Sequence, residues 1–285
     1  MSAEKSLKKT KTRKADIQKH IEPEPTTELE PGLAPGAPLK PAGPDAPDDI
    51  FAADATFESL GLRSSVLKAV KELGFEKPTT IQAQLIPLIL TGKDVLGQAK
   101  TGTGKTASFG LPLIHMADKG VEFQTIILVP TRELAIQVAT DMTNFAKYTP
   151  IRTSALFGGQ AVRVQAKKLE KGPEIIVATP GRIMDMAQRG LIHYRNVRAV
   201  VLDEVDRMLD IGFRDDIRKI LRACPAPGPK EEGGGGRQTI FVSATISPEI
   251  ESLARSHARD VHKTVATTGS LTVSRVRQFH LPVAR

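Results

Sequence analysis

Short apolar runs alternate with amphipathic stretches along the chain from Thr56 onward. The runs are rich in Ile, Val, Leu and Ala, which is typical of parallel strands buried on both faces. The predicted strands are residues 94–97, 125–129, 153–157, 174–178, 199–202 and 239–242. Helix-like stretches lie between them, for example Arg132–Phe145 and 213–223. This alternation predicts an α/β fold with a parallel sheet, in which ligands bind at the carboxyl ends of the strands.

The first 55 residues have a different composition. Residues 1–20 carry a net charge of +5, whereas residues 21–55 carry −7 and contain eight of the chain's 20 prolines. Such a segment cannot bury enough apolar surface to offset the entropy of ordering the chain. We therefore predict a disordered tail over residues 1–55. The Pro- and Gly-rich stretch at 225–236 is predicted to be a flexible loop, and no function is assigned to it.

Charge and composition limit the possible binding partners and cellular compartments of the chain. Residues 56–285 alone carry a net charge of +10, which suits a phosphate-backbone partner, although a merely soluble basic protein is equally consistent. No apolar run reaches the length of a membrane span, and the N-terminus lacks the apolar stretch of a secretory signal. The single cysteine, Cys224, favours a reducing, cytoplasmic setting. The six histidines show no metal-ligand spacing, so no zinc is expected.

A glycine-rich turn directly after the first predicted strand is the strongest local indication of chemistry. The turn consists of Ala99, Lys100, Thr101, Gly102, Thr103, Gly104, Lys105 and Thr106. Its glycines let backbone N–H groups turn towards a polyphosphate, and the helix-like run that follows adds a favourable dipole. Lys105 can reach the β and γ phosphates, and the Thr106 hydroxyl can ligate Mg²⁺. The pattern predicts a nucleotide site, although Ala99 replaces the first glycine of the general P-loop; a plain glycine-rich turn is the alternative.

Two acids, Asp203 and Glu204, follow the apolar run at 199–202. Asp203 would hold the metal through water, and Glu204 would orient or deprotonate the attacking water. In isolation, acids after a strand are more often a solvated loop or a helix cap. Together with Lys105 and Thr106 they form the second half of a site for nucleotide hydrolysis.

With both half-sites in place, residues 56–285 resemble the DEAD-box family of RNA helicases. Residues 74–82 look like the family's Q motif, which reads adenine. The resemblance implies that Gln82 bonds the adenine edge and that Phe75 stacks on the ring, with Phe57 in the place of an isolated upstream aromatic. The glycine-rich turn resembles motif I, and residues 203–206 resemble motif II.

A third motif of the same family links nucleotide state to domain closure. Ser243, Ala244 and Thr245 look like this motif III, and the resemblance assigns coupling roles to Ser243, Thr245 and Asp206. Motif II reads Asp-Glu-Val-Asp, with Val205 where the family name has alanine. The acids are unchanged, so we expect the chemistry to survive this difference.

Three more segments resemble the family's RNA-contacting motifs, and each follows a predicted strand. They are Pro130, Thr131 and Arg132; Gly158 and Gly159; and Thr179, Pro180, Gly181 and Arg182. Hydroxyls, glycine N–H groups and arginines suit phosphate and sugar rather than base edges, so binding of RNA should tolerate any sequence. Each segment alone could equally be a helix cap or a turn.

The resemblance implies a RecA-like parallel sheet sandwiched by helices, with an ATP-binding domain over residues 56–275. Residues 276–285 would begin a linker to a second RecA-like domain. The implied function is that of the ATP-binding half of an ATP-dependent RNA helicase, with ATP and Mg²⁺ as cofactors and RNA as partner. Because nothing after Thr245 resembles the second domain's motifs, we expect this chain alone to be weakly active or inactive.

Two other functions are compatible with parts of the pattern. One is a non-catalytic RNA-binding or regulatory fragment with a vestigial nucleotide site, which the intact Lys105, Thr106, Asp203 and Glu204 disfavour. The other is a different P-loop enzyme, such as a kinase or a DNA helicase. The match of residues 74–82 to the Q motif distinguishes the DEAD-box interpretation from this last one.

Overall fold

One parallel sheet forms the centre of the fold. The structure is a computed structural model that describes residues 51–100, 102–228 and 236–266. The strands of this part of the chain are β1 (Val95–Gln98), β2 (Thr125–Leu128), β3 (Thr153–Leu156), β4 (Ile175–Ala178), β5 (Ala199–Asp203), β6 (Gln238–Ser243) and β7 (His262–Val265). They lie in the order β3-β4-β2-β5-β6-β1-β7, and every neighbouring pair is parallel. This order confirms the predicted parallel α/β fold.

Each strand predicted from the sequence is present, and its ends agree with the prediction to within one residue. Strand β7 was not predicted. Its residues, His262 to Val265, are polar apart from the last one and mostly exposed, so they lack the apolar run that marks a buried strand. The strand forms by pairing with β1 at the edge of the sheet, which is a contact between distant parts of the chain.

Helices cover both faces of the sheet. They are α1 (Ser64–Glu72), α2 (Thr80–Leu90), α3 (Lys105–Met116), α4 (Arg132–Phe145), α5 (Val162–Leu169), α6 (Pro180–Gln188), α7 (Val205–Ile211), α8 (Arg214–Ala223) and α9 (Pro248–His257). Residues from α1 to α4 pack on one face, and residues from α5 to α9 pack on the other. The two helices predicted from the sequence correspond to α4 and α8.

Burial explains why the strands are almost continuously apolar. Strands β2, β4, β5 and β6 are buried at every position. Successive side chains of a strand point to opposite faces. Thus Ile127 packs with the helices α1 to α4, whereas its neighbours Ile126 and Leu128 pack with the opposite layer. A strand covered on both faces has no polar face, which is the pattern seen in the sequence.

The strand order separates the carboxyl ends into two groups. Strands β5, β6 and β1 are neighbours, and they lead into Asp203, Ser243 and the glycine-rich turn. Strands β3, β4 and β2 are the other group of neighbours, and the three segments that resemble RNA-contacting motifs follow them. The end of the sheet at which the strands finish therefore carries the predicted nucleotide residues on one half and the predicted RNA residues on the other.

The described chain begins within the segment assigned to the tail. The backbone of Phe51 pairs with Thr79, and the Ala52 N–H donates to the Pro78 carbonyl over 3.0 Å. The prediction of a disordered tail up to residue 55 is therefore corrected at its C-terminal end, because the backbones of residues 51 and 52 pair with those of Thr79 and Pro78. The tail up to residue 50, Thr101, the loop at 229–235 and the predicted linker at 276–285 lie outside the described residues. None of the described helices combines the length and hydrophobicity needed to span a bilayer.

Candidate functional site

The glycine-rich turn places a buried lysine at the start of a helix. Gly102 and Gly104 have φ angles of +81° and +80°, a region that side-chain-bearing residues rarely adopt. The turn leads into α3, whose first residue is Lys105. Lys105 is 8% exposed, and among the described residues its Nζ atom has no hydrogen-bond partner. A buried ammonium group without a partner is costly unless an anion accompanies it, so this position is suited to bind one.

The rest of the turn supports this position. The Ala99 N–H donates to the Ser243 carbonyl over 3.1 Å, which joins the end of β1 to the end of β6. The Thr103 hydroxyl donates to the carbonyl of Lys100 over 2.8 Å and closes the turn on itself. Thr106, the second residue of α3, is also buried. The predicted phosphate-binding residues that the structure describes, which are Ala99, Lys100 and residues 102–106, therefore lie together from the end of β1 to the first turn of α3.

Asp203 lies at the end of β5 and is 4% exposed. Burial raises the pKa of its carboxyl group to about 6, although the positive charge of Lys105 acts to lower the pKa. The two residues are therefore close enough to interact electrostatically. This proximity brings together the two half-sites, which lie about a hundred residues apart in the sequence.

Glu204 occupies a strained position between β5 and α7. Its φ angle is +52°, in the left-handed region, although it is not glycine. Its carboxylate lies 3.6 Å from the guanidinium of Arg207. Such strain costs about 1–3 kcal/mol and is found most often at functional sites, where a side chain must be aimed in a given direction. The position fits a residue that must reach a water molecule beside a phosphate.

The donors near Lys105 fit Mg²⁺ held mainly by a substrate. Mg²⁺ prefers oxygen ligands, and in nucleotide enzymes it keeps several waters and binds one or two protein oxygens together with phosphates. The Thr106 hydroxyl and the Asp203 carboxylate are such oxygens, and both are buried. Among the described residues no group of three or more His, Cys, Asp or Glu side chains is arranged to hold a metal ion. One hydroxyl and one carboxylate are a donor set that fits an ion whose other ligands are phosphates and waters.

Gln82 holds the glycine-rich turn. The side chain is 2% exposed. Its Nε2 group donates to the Gly104 carbonyl over 3.1 Å, and its Oε1 atom accepts from the Thr79 N–H over 3.0 Å. The Thr79 hydroxyl in turn donates to the Thr103 carbonyl over 2.9 Å. A Cβ atom at Gly104 would lie 2.3 Å from Gln82 Nε2, so this approach requires glycine. The sequence does not indicate the contacts with Thr103 and Gly104, because these residues lie more than twenty positions from Thr79 and Gln82.

The two predicted aromatic residues of the nucleotide site lie in different environments. Phe75 is half-buried, with its ring centroid 6.2 Å from that of Phe57 and 6.4 Å from that of Phe145. Phe57 is 3% exposed and belongs to the hydrophobic core. Phe57 packs against Phe75, and its role at the nucleotide site, which the resemblance implies, stays a prediction.

Motif III contacts the last acid of motif II. Asp206 Oδ2 accepts hydrogen bonds from the Thr245 N–H over 2.9 Å and from the Thr245 hydroxyl over 3.0 Å. The Asp206 N–H donates to Ser243 Oγ over 3.3 Å. The predicted coupling residues are thus in contact. Gln98 was not predicted: its Nε2 group donates to the Ala244 carbonyl over 3.1 Å, a link that follows from the pairing of β1 with β6.

Replacing Asp206 with asparagine should destabilise the folded chain by about 1 kcal/mol at neutral pH, because an amide cannot reproduce both charge-assisted bonds from Thr245. Burial acts to raise the pKa of Asp206, but the hydrogen bonds from Thr245 outweigh burial and lower the pKa. A carboxyl group whose pKa is lowered by folding stabilises the fold above its unfolded pKa of about 4 and loses this effect as the pH falls further.

Urea unfolding of the wild type and of Asp206→Asn at several pH values measures this difference. We expect the difference in the free energy of unfolding between the two proteins, the gap, to be constant from neutral pH to about pH 5 and to shrink below about pH 4. Asp210→Asn, at an exposed position of the same helix, is the matched control and should show no gap. A gap for Asp206→Asn that does not change with pH would contradict the assigned role of the carboxylate.

At the other half of the sheet edge, Arg132 lies beside the paired glycines. Thr131 caps α4 by accepting a hydrogen bond from the Leu134 N–H over 3.2 Å, so its hydroxyl stabilises the first turn of the helix. The guanidinium of Arg132 lies 5.2 Å from the centre of the Phe157 ring. Gly159 has a φ angle of +78°, and a Cβ atom there would lie 3.3 Å from the Arg132 guanidinium. Arg132 and Gly159 therefore form one exposed surface.

The segment after β4 adjoins the same surface. The Thr179 N–H donates to the Leu156 carbonyl over 3.0 Å, which joins the ends of β3 and β4. Arg182 Nη1 donates to the Gln160 carbonyl over 2.8 Å, next to the glycine pair. Gly181 is exposed, with open space where a Cβ atom would lie. The remaining predicted RNA residues are Pro130 and Pro180, which are buried, and Gly158, which is exposed with open space at its Cβ position.

The comparisons with known proteins match this arrangement. The model of the DEAD/DEAH box helicase family matches residues 79–253. The DEAD-box ATP-dependent RNA helicase CshA of Geobacillus kaustophilus is 41% identical over 229 residues, which is 80% of this chain and 47% of that protein. CshA of Bacillus subtilis is 41% identical over 229 residues, 80% of this chain and 44% of that protein. The chain thus spans about half the length of the curated relatives it matches.

Solved structures give the same result. The crystal structure of a DEAD box protein from the hyperthermophile Methanococcus jannaschii matches with a TM-score of 0.68 and 40% identity, over 74% of this chain and 56% of that one. A hypothetical ATP-dependent RNA helicase from Sulfolobus tokodaii matches with a TM-score of 0.64 and 31% identity, over 72% and 57% of the two chains. The predicted RecA-like fold is confirmed, and the chain belongs to the DEAD/DEAH box helicase family.

Proposed function

We propose that this chain is the ATP-binding half of a DEAD-box ATP-dependent RNA helicase, which binds Mg-ATP and the sugar-phosphate backbone of RNA. The observation that carries the proposal is the buried amine of Lys105, which lacks a hydrogen-bond partner among the described residues and lies within electrostatic reach of the buried Asp203. A triphosphate with its metal ion supplies both missing charges: phosphate oxygens for the lysine and a cation for the carboxylate.

Each residue around the turn has a separate role in binding the triphosphate. Backbone N–H groups of the turn and the start of α3 face the phosphates, and Lys105 neutralises the β and γ phosphates. Thr106 and Asp203 would hold Mg²⁺, which would offset the charge that develops during transfer. Glu204 orients the attacking water and accepts its proton. These roles require no movement of the sheet, because all four side chains start at strand ends or at the first turn of α3.

Adenine is recognised by Gln82, the side chain that holds the glycine-rich turn in this structure. Both polar atoms of Gln82 are engaged with protein groups, namely Gly104 and Thr79. To bond an adenine edge, Gln82 has to exchange at least the Gly104 contact for the base, with Phe75 against the ring. Binding of adenine is thereby linked to release of the turn, and the correct base helps to open the phosphate site.

RNA lies on the other half of the sheet edge in this proposal. Arg132, Arg182 and the exposed glycines present cations and N–H groups without any shape that selects a base. Contacts of this type hold the phosphate backbone and tolerate any sequence. In the complete enzyme ATP and RNA close the two domains together, the bound strand is bent, and hydrolysis reopens the cleft. Hydrolysis and unwinding need the second domain, which supplies arginines to the phosphates.

The test of this function is a calorimetric titration of the chain with Mg-ATP and with Mg-GTP, each with and without single-stranded RNA. We expect ATP to bind and GTP to bind at least about 10-fold more weakly, because a site built to hydrogen-bond one base edge leaves polar groups unpaired with another. Gln82→Ala should bring the two affinities within a few-fold of each other. Gln238→Leu, which removes a glutamine bonded to carbonyls at the opposite edge of the sheet, is the control and should keep the preference for ATP.

The same titrations separate the alternatives. Binding of RNA without any ATP binding would identify a non-catalytic RNA-binding fragment. Equal affinities for ATP and GTP in the wild type would favour a different P-loop enzyme.

A further inference from the structure

Helix α5 carries a basic face that none of the matched motifs includes. Arg163, Lys167 and Lys168 are exposed on the helix, Lys171 is exposed just after its C-terminal end, and Glu170 is the acid among them. Within the described ranges, none of these four cations forms an ion pair. Cations of other helices do pair, for example Arg189 with Asp185 on α6. A cluster of like charges without counter-charges destabilises a surface slightly, so its presence points to an anionic partner.

The basic face is held in a fixed position beside the proposed RNA residues. The buried side chain of Gln165 donates to the Phe157 carbonyl over 2.9 Å and accepts from the Phe157 N–H over 3.2 Å. Phe157 is the residue that precedes the glycine pair and lies under the Arg132 guanidinium. Arg182 bonds to Gln160, in the segment that leads into α5. The face therefore continues the surface formed by Arg132, the glycine pair and Arg182.

The composition of the face favours a nucleic-acid backbone over a protein. Protein interfaces are enriched in aromatic residues and depleted in lysine at their centre. This face has three lysines and no aromatic residue, and its exposed apolar side chain is Val164, at 42%. Lysines act as point charges for phosphate. At a rise of about 1.5 Å per residue the helix is about 12 Å long, which is enough to follow more than one phosphate.

We propose that the face formed by Arg163, Lys167, Lys168 and Lys171 binds the sugar-phosphate backbone of the RNA beyond the nucleotides that the three matched segments hold. This inference rests on the proposed RNA-binding function and extends it along α5. The contacts are electrostatic, so the extension adds affinity and salt dependence but no preference for sequence.

The test compares two triple variants in binding labelled uridine oligonucleotides at several salt concentrations, with fluorescence anisotropy as the readout. Lys167→Ala/Lys168→Ala/Lys171→Ala removes three charges from the face. Lys93→Ala/Lys119→Ala/Arg195→Ala is the matched control, because these exposed cations precede strands and lie at the opposite edge of the sheet. RNAs of about five and about twelve nucleotides bracket a site of the size usual for single-strand binders.

For the long RNA, the α5 variant should bind about 10-fold more weakly than the wild type, and the slope of log affinity against log salt should fall by about 2 units. For the short RNA, both variants should bind like the wild type, and the control should do so for the long RNA as well. Equal melting temperatures of the three proteins verify that the fold is intact.

Other outcomes overturn the inference in distinguishable ways. If the wild type binds neither RNA, the proposed RNA-binding function fails and this extension fails with it. If the wild type binds both RNAs and the α5 variant has the same long-RNA affinity and salt slope as the control, only the extension is overturned. If RNA binding is unaffected but poly-glutamate binds the wild type and not the α5 variant, the face serves an acidic polypeptide instead.

Discussion

Lys105→Ala should weaken binding of Mg-ATP by about 10²- to 10³-fold while leaving the fold intact, because removing one partner of a buried charged pair costs about 2–5 kcal/mol of binding energy. In the nucleotide complex the ammonium would face the β and γ phosphates from a position that is 8% exposed. Water cannot replace it there at low cost. No other cation of the described turn is buried, since Lys100 is exposed.

The fold should tolerate the change because two effects oppose each other. The alanine variant no longer buries an ammonium group that lacks a hydrogen-bond partner in the described structure, which favours the folded state. It also loses the attraction between Lys105 and Asp203, which disfavours the folded state. The lost apolar stem adds a small cavity, and Lys105→Met keeps most of that stem as a second variant.

Titration with a fluorescent ATP analogue and thermal unfolding together check this prediction. Both Lys105 variants should lose binding, and Lys105→Met should melt within a few degrees of the wild type. Lys93→Ala, an exposed lysine at the opposite edge of the sheet, is the control and should bind like the wild type. Unchanged affinity in the Lys105 variants would contradict the nucleotide site.

RNA-stimulated hydrolysis of ATP by the purified 285-residue chain should be at least about 10³-fold slower than hydrolysis by a full-length relative such as the Geobacillus kaustophilus helicase. In the proposed function the residues of this chain bind the phosphates from one side. Arginines supplied to the transferring phosphate are worth about 10³–10⁵ in rate, and the proposal places them in the second domain.

The comparison requires that both proteins bind nucleotide, so affinity for the fluorescent ATP analogue is measured beside turnover. Glu204→Gln in this chain provides the background, because it removes the group that accepts the proton from water. We expect the chain and its Glu204→Gln variant to differ little, and neither to separate an RNA duplex. Robust RNA-stimulated turnover by the chain alone would refute the requirement for a second domain.

The motifs predicted which residue types meet the nucleotide, and the structure shows how some of them are held. Lys105 lies close enough to Asp203 to influence it electrostatically, since a glycine turn and an acid pair that both follow buried strands must lie at the same edge of a parallel sheet. For Phe57 the motif match locates an aromatic residue but does not indicate its burial. Whether a ring lies at the surface depends on the segments packed around it, here Phe75 and the core that both rings contact.

The sequence by itself determined six of the seven described strands and their order, the helix-like stretches between them and the residue types that follow each of these strands. These features depend on residues close in the chain: apolar runs, turn glycines, and acids that follow a strand. Only the tertiary structure decided which strands are neighbours, and hence that the predicted nucleotide residues follow β5, β6 and β1 while the predicted RNA residues follow β3, β4 and β2.

The tertiary structure also decided the contact of Gln82 with Gly104, the edge strand β7 and the basic face of α5 beside the glycine pair. Each of these joins segments that are far apart in the sequence. Such contacts depend on how helices and crossovers pack on the sheet, and a local pattern of apolar and polar residues carries no information about that packing.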